Sequence, residues 1–225
     1  MPPSRINGGG YLHLQRRWLG VELIAVTNDR FDVDMLARII VKVEPFVDYF
    51  IIRERTKTAN EYIRLIGRLS AAKVKKEKLI INDRVDVAVV TGINKVQLPG
   101  HGLTLQQVKS YFPNLRTGRS IHSPEEAWEA SRSGADWLLY GHVYDTDCKK
   151  GVPARGLEEL KLIAENVQSN IYAIGGIKPE HVVGLNKMNI RGIAVMSSIF
   201  DSAKPARAAE EYHEACRAYQ FLEGG

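Results

Sequence analysis

The 225-residue chain contains only two cysteines, Cys148 and Cys216, which lie far apart in the sequence. This number and spacing give neither a disulfide framework nor a zinc pattern, and they favour a reducing compartment such as the cytoplasm. No apolar run approaches the roughly 20 residues that a helix needs to span a bilayer. The first 20 residues also lack the apolar centre of a secretory signal. We therefore expect a cytoplasmic protein with no membrane partner.

Acidic residues are absent from residues 1–20, which contain three arginines and three consecutive glycines. This segment supplies three of the five net positive charges, so the rest of the chain is nearly balanced. The sequence also lacks a helix-turn-helix pattern and a stripe of basic residues interleaved with aromatic ones, so no nucleic-acid partner is expected. We interpret residues 1–20 as a basic, disordered extension or an over-long start, and residues 21–225 as one folded domain.

Short apolar runs alternate with helical segments through the rest of the chain. Eight runs have this character: Val21–Thr27, Tyr49–Glu54, Lys78–Asp83, Lys95–Leu98, Thr117–Ile121, Trp137–Val143, Ile171–Gly176 and Gly192–Ser197. Most are nearly continuous in apolar residues, as strands are when both faces of a parallel sheet are covered. Eight such units in about 205 residues predict an α/β fold, a single-domain (β/α)8 TIM barrel. A doubly wound sheet is disfavoured because TNDRFD, after the first run, lacks the glycine-rich turn of that fold.

Polar residues follow most of these runs, at the barrel end where active sites of this fold lie. The polar ones are Arg53, Arg55, Asn82, Asp83, Ser120, His122, His142, Ser197 and Ser198, and the seventh run ends in Gly175 and Gly176. Arg53 and Arg55 alternate, so along a strand both would point to one side, where an anion or a carboxylate would be needed. A metal site is poorly supported, because LPGHG after the fourth run offers Asp83 no second carboxylate.

The last two strand ends predict a phosphate site. Gly175 and Gly176 would let the main chain approach an anion closely. Ser197 and Ser198 open the segment SSIF, which could be the short extra helix that binds phosphate in such barrels. For the two glycines alone, a plain turn is the alternative explanation.

Two histidines stand at strand ends. An imidazole can accept and return a proton within one site, which makes His142 a candidate for catalysis, with a packed structural histidine as the alternative. His122 directly precedes a predicted capping box, in which Ser123 is the N-cap and Glu126 the third helical residue. A structural role is therefore favoured for His122.

Seven motifs occur in order between about Val21 and Tyr219: RERTK, INDRVDVA, VQLP, GRSIHSPEEA, GADWLLYGHVYDTDCKKG, AIGGI and GIAVMSSIF. Together they resemble the thiamine phosphate synthase superfamily, and GHVYDTDCKKG resembles its TenI branch, the thiazole tautomerases. The resemblance implies a (β/α)8 barrel that isomerises 2-carboxy-4-methylthiazol-5(2H)-ylidene ethyl phosphate to the aromatic carboxythiazole phosphate, late in thiamine biosynthesis. That reaction moves one proton and requires no metal or redox cofactor.

By the same resemblance His142 carries the proton, while the loop after it and the last two strand ends hold the thiazole phosphate. A cation such as Arg53 or Lys149 could stabilise charge that moves toward the substrate carboxylate. The predicted substrate-binding residues are Arg53, Asn82, Ser120, His122, Thr146, Lys149, Gly175, Gly176, Ser197 and Ser198.

The chain departs from the synthase pattern at three places, one of which is the Thr-x-Thr-Lys after strand six, where this chain has Thr146, Asp147, Cys148 and Lys149. A synthase has Gln-x-Arg-x-Lys at strand two, where this chain has Ile51, Arg53 and Arg55. It has Leu-Gly-x-x-Asp after strand four, where this chain has no acidic residue, so one of two expected magnesium carboxylates is missing. Synthase activity is therefore expected to be negligible. A synthase-like enzyme and a non-catalytic regulator that binds thiazole phosphate remain as alternatives, and a homo-oligomer is left open.

Overall fold

The computed structural model describes residues 21–146, 151 and 153–218. Within them, eight parallel strands pair in chain order and close into a barrel, because β1 pairs with both β2 and β8. The strands are β1 Glu22–Val26, β2 Tyr49–Ile52, β3 Leu79–Asn82, β4 Lys95–Leu98, β5 Arg116–Ile121, β6 Trp137–Gly141, β7 Asn170–Ile174 and β8 Gly192–Val195. The predicted (β/α)8 barrel is confirmed. The expectation of a disordered extension falls on residues 1–20, outside the described part.

Helices follow each strand around the barrel. They are α1 Val33–Val43, α2 Ala59–Ala71, α3 Val85–Thr91, α4 Leu105–Tyr111, α5 Pro124–Arg132, α6 Gly156–Asn166, α7 Val182–Asn186, α8 Ser197–Phe200 and α9 Pro205–Arg217. The segment SSIF is the extra helix α8, as predicted. None of the helices described is both long and apolar enough to cross a membrane.

Two apolar layers hold the barrel together. The larger one lies between the strands and the surrounding helices. The smaller one fills the barrel interior with Ile24, Val26, Ile51, Ile80, Trp137, Leu139, Tyr172 and Ala194. Successive strand residues point to opposite faces, so one face packs inward and the other packs on the helices. Both faces are buried, which explains the nearly continuous apolar runs.

Two local expectations are wrong. Arg53 and Arg55 were expected to point to the same side along strand β2. The strand ends at Ile52, before both residues, and Arg55 is exposed whereas Arg53 is half-buried. The capping box at α5 is only half formed. Ser123 accepts the Glu126 N–H at 3.3 Å, but the Glu126 carboxylate accepts the N–H of the preceding His122 at 2.6 Å.

Candidate functional site

His142 follows directly after β6 and is 3% exposed. The N–H groups of Val143 and Tyr144 donate to two consecutive carbonyls at the end of β7, both at 3.0 Å. The N–H of Arg155, on the far side of the loop, donates to the His142 carbonyl at 3.0 Å. The main chain on both sides of His142 is therefore fixed to the barrel, which orients a proton-transfer group.

The glycine pair after β7 allows the chain around His142 to pack closely. Gly175 has φ +103° and Gly176 has φ +65°, both in the region that favours glycine. A Cβ on Gly175 would lie 2.3 Å from the His142 Cβ and 2.7 Å from its Cα. A Cβ on Gly176 would lie 2.3 Å from the Asp145 carbonyl oxygen. A plain turn does not account for both glycines, because each also avoids contact with the segment that carries His142.

Unused main-chain donors lie at the ends of β7 and β8, which are neighbours in the sheet. Within the described residues, the N–H groups of Gly176, Ser197 and Ser198 have no hydrogen-bond acceptor. The Ser198 hydroxyl contacts a buried phenol. Burial raises the pKa of Tyr212, and its hydrogen bond with Ser198 acts in the opposite direction. Ser198 is therefore placed to offer a ligand its N–H rather than its hydroxyl.

A chain of polar side chains links β4, β5 and β6 inside the barrel. Ser120 Oγ accepts from Gln97 Nε2 at 3.0 Å, and Gln97 Oε1 accepts from Trp137 Nε1 at 2.8 Å. Trp137 belongs to the inner apolar layer, so Ser120 faces the interior. Gly118 is needed here, because a Cβ would lie 2.0 Å from Trp137 Nε1. Gln97 was not among the predicted site residues, although it is the polar residue inside the otherwise apolar motif VQLP.

The structure places His122 beside the main chain that leads to His142. Its Nδ1 lies 2.6 Å from the carbonyl oxygen of Gly141. A carbonyl only accepts, so Nδ1 carries the proton and donates it. The His122 ring thus holds the peptide that leads into His142.

Charged groups at the ends of β1 and β2 pair with one another. Glu54 is 1% exposed and forms an ion pair with Lys57, whose Nζ also lies 3.6 Å from Asp29 Oδ1. Glu54 Oε1 additionally accepts the Asp29 N–H at 3.2 Å. The N–H of Arg53 donates to the hydroxyl of buried Thr27 at 2.8 Å. These contacts fasten the loops after β1 and β2, and the sequence analysis identified none of them.

The end of β3 was tested as a magnesium site. Asp83 has φ +64°, and its carboxylate packs against Gly102, where a Cβ would be 2.8 Å from Oδ1. The loop after β4 offers it the Nε2 of His101 at 3.9 Å. Magnesium in enzymes is usually held by one or two carboxylates together with waters and substrate phosphates, and residues 99–104 after β4 add no carboxylate to Asp83. The residues here do not fit the magnesium of the synthase pattern.

The predicted residues fall into two groups around the mouth. Gly175 contacts His142, Gly176 contacts the segment just after it, and Ser197 and Ser198 lie at the adjacent strand end. Arg53 follows β2 and Asn82 ends β3, across the barrel from β7, and both are half-buried. Ser120 faces the barrel interior. Thr146 is half-buried in the loop after β6. Cys148 and Lys149 lie outside the described residues.

Many (β/α)8 barrels bind the phosphate of their substrates at the ends of the seventh and eighth strands, beside the N-terminus of a short extra helix. The family model described as "Thiamine monophosphate synthase" (TMP-TENI) matches residues 23–199. The chain therefore belongs to the thiamine monophosphate synthase family.

Several relatives are named thiamine-phosphate synthase. The Pyrococcus furiosus protein is 38% identical over 131 residues, which are 58% of this chain and 63% of that protein. This match spans less than two thirds of the relative's length. The Pyrococcus horikoshii protein is 35% identical over 162 residues, 72% of each chain. A solved structure, a thiamine phosphate pyrophosphorylase from Pyrococcus furiosus, is similar with a TM-score of 0.75 and 28% identity, over 88% of this chain and 96% of that one.

Proposed function

We propose that this chain is a thiazole tautomerase, which isomerises 2-carboxy-4-methylthiazol-5(2H)-ylidene ethyl phosphate to the aromatic carboxythiazole phosphate. The observation that carries the proposal is the contact between buried His142 and Gly175, next to the unused N–H groups of Gly176, Ser197 and Ser198. This arrangement puts a proton carrier beside an anion site. We assign the activity to residues 21–225 and treat residues 1–20 as an extension.

The proposed reaction needs one base that becomes the acid. His142 removes the proton from C2 of the thiazole ring, and the electrons of that C–H bond move into the ring system. The exocyclic carbon then takes the proton back from the imidazolium, and the ring becomes aromatic. The reaction moves one proton within the substrate and transfers no electrons to another molecule, so it needs no oxidant or reductant. The phosphate, held at the ends of β7 and β8, fixes the distance between the ring and His142.

The residues near the other end of the ligand have supporting roles in this proposal. Arg53 and Lys149 offset negative charge that develops on the substrate carboxylate after C2 is deprotonated. Asn82, Ser120 and Thr146 orient polar groups of the ring. His122 contributes by holding the peptide before His142.

Thiamine-phosphate synthase is the second candidate, and the names of the relatives favour it. A synthase must hold a pyrimidine pyrophosphate in addition to the thiazole phosphate. The unused N–H groups at β7 and β8 suit either enzyme. Asp83, with an imidazole as its neighbour, suits the synthase less well. A regulator without catalysis would need the phosphate site but no proton carrier.

One pair of assays separates the three candidates. The full chain is mixed with the ylidene phosphate in excess chelator, and aromatisation is followed in the ultraviolet. A separate mixture contains the pyrimidine pyrophosphate, carboxythiazole phosphate and magnesium, and thiamine phosphate is measured. We expect turnover in the first assay and none in the second. Turnover only in the second would establish the synthase, and product binding with no turnover in either would establish the regulator.

A further inference from the structure

A cavity lies at the opposite end of the barrel from His142. Its volume is about 380 Å³. The residues that begin β1, β2, β4 and β5 line it together with the end of α9, and they include Glu22, Tyr49, Lys95, Arg116, His213 and Arg217. The proposed tautomerase mechanism uses none of these residues. A polar cavity of this size, distant from the mouth, suggests a separate ligand site.

Lys95 is the most deeply buried charged group of this cavity, with 8% exposure. Its Nζ donates to the main-chain carbonyl of Glu77 at 2.6 Å and lies 5.6 Å from the centre of the Tyr49 ring. Burial lowers the pKa of Lys95, and the charge of Arg116 lowers it further. A carbonyl and a ring face solvate this ammonium only in part, so an anion would be a better partner.

Arg116 stands beside Lys95 in the register between β4 and β5. The nearest carboxylate to its guanidinium is Asp136, at 3.5 Å. Asp136 also accepts the Thr117 N–H at 2.8 Å and is approached by Lys109 at 3.4 Å. One carboxylate is thus shared among three donors, and two cations on adjacent strands face the cavity with little neutralisation.

Two of the carboxylates that line the cavity are engaged elsewhere, and the third is the exposed Glu77, whose charge raises the pKa of Lys95 by less than burial lowers it. Asp48 accepts from the Leu23 N–H and from Arg217, both at 2.8 Å. Glu22 is bound by Arg191 and by the hydroxyl of Tyr172. Glu22 and Asp48 are therefore unavailable to compensate the charges of Lys95 and Arg116, which leaves solvent-exposed Glu77 as their counter-charge within the lining described.

We propose that this cavity binds a phosphomonoester or phosphate dianion, with Lys95 and Arg116 as its principal ligands. Two adjacent cations match the two charges of a phosphate, and the planar guanidinium fits two of its oxygens. The volume exceeds that of bare phosphate, so there is room for an organic group as well. This site is independent of the phosphate site at β7 and β8.

The test counts bound inorganic phosphate per full-length chain by equilibrium dialysis. Ser197→Asp blocks the mouth, and in this background one phosphate should still bind. Adding Lys95→Met should weaken that binding about 10–100-fold, because a charged hydrogen bond and an ion pair are lost. Lys161→Met, an exposed lysine of α6, is the matched control and should leave binding unchanged.

Arg116→Gln provides a second variant, because it is more exposed and less able to disturb folding. It should weaken phosphate binding about tenfold. The proposal is overturned if the Ser197→Asp chain binds no phosphate, or if Lys95→Met and Arg116→Gln bind it as tightly as their background does. It is also overturned if acetate displaces phosphate at equal concentration, since the site would then be a carboxylate site.

Discussion

The two halves of the barrel mouth use their polar groups in opposite ways. At β1 and β2 the charged side chains bind one another, as Glu54, Lys57 and Asp29 do. At β7 and β8 the polar groups are main-chain N–H groups, and those of Gly176 and Ser197 have no acceptor in the described chain. Charged side chains at a strand end therefore do not by themselves mark a ligand site. Unused donors on a rigid main chain are the more informative feature.

This difference has a physical basis. A buried ion pair such as Glu54–Lys57 fixes loop geometry, but each charge is already neutralised and attracts a ligand weakly. Main-chain N–H groups held by the barrel need no rearrangement when an anion arrives. The glycines at Gly175 and Gly176 allow that approach and position His142 as well. In the proposed function, the β6–β8 half thus combines binding and chemistry, whereas the β1–β2 half provides the frame.

The largest effect is expected from removal of the proton carrier. His142→Asn should lower turnover of the ylidene phosphate about 10²–10⁴-fold, the usual contribution of a general acid–base group. Affinity for the product phosphate should stay nearly unchanged, because its donors lie at Gly176, Ser197 and Ser198. Stopped-flow absorbance gives turnover and calorimetry gives affinity. Full activity of this variant would move the proton transfer to His122 or to another group.

Gly175→Ala should be the next most damaging change. The new Cβ would lie 2.3 Å from the His142 Cβ, on a backbone with φ +103°, so His142 must shift. A displacement of about 1 Å of a catalytic group costs about 10² in rate. Gly184→Ala in α7 is the matched control, since a Cβ there meets nothing within 4 Å. Equal rates for the two variants would show that His142 does not depend on this contact.

The paired half of the mouth should respond in stability rather than chemistry. Glu54→Gln leaves the Lys57 ammonium, whose side chain is 8% exposed, without its nearest carboxylate. The free energy of unfolding should fall by about 3 kcal/mol, near the lower end of the cost of breaking a buried pair. Urea denaturation measures it, with exposed Glu165→Gln as the control. A drop in product affinity at unchanged stability would make Glu54 a ligand-binding residue.

The fold was predictable because its signals are local. Buried parallel strands give continuous apolar runs, and eight of these in sequence leave few alternative topologies. The same topology brings strand ends together, so His142, the glycine pair and the serines of α8 could be placed at one mouth from sequence. Strand ends were less predictable, since the apolar run alone did not show that β2 stops at Ile52.

The missed contacts join residues distant in sequence. Asp29 binds Glu54, 25 residues away, and Trp137 binds Gln97, 40 residues away. Nothing in a local pattern shows that one charge is already neutralised by another. Sequence reasoning could therefore name the charged residues at the mouth but could not separate framework charges from ligand-binding ones.

A negative charge placed among the unused N–H groups of β7 and β8 should weaken phosphate binding there. Ser197→Asp puts a carboxylate where the phosphate is proposed to lie, and like charges repel. Product affinity should fall at least about tenfold, since each hydrogen bond to a charged group contributes about 1.5–3 kcal/mol. Ser110→Asp, on the exposed face of α4, controls for the added charge. Unchanged affinity would locate the phosphate elsewhere in the mouth.

The smallest effect is expected at the end of β3. Asparagine also tolerates positive φ, so Asp83→Asn keeps the backbone at φ +64° and the packing against Gly102 while removing the charge. If no metal acts at this position, the change resembles a surface substitution of about ±0.5 kcal/mol, and turnover should remain within about twofold of the parent. The rates of both proteins are compared with and without chelator. A large loss in Asp83→Asn, together with a parent rate that falls in chelator and returns with magnesium, would assign a metal ligand to Asp83 and favour the synthase. Equal rates for the parent and Asp83→Asn, each with and without chelator, would instead place Asp83 with Glu54 and Lys57. These charged residues would then shape the mouth without taking part in the chemistry.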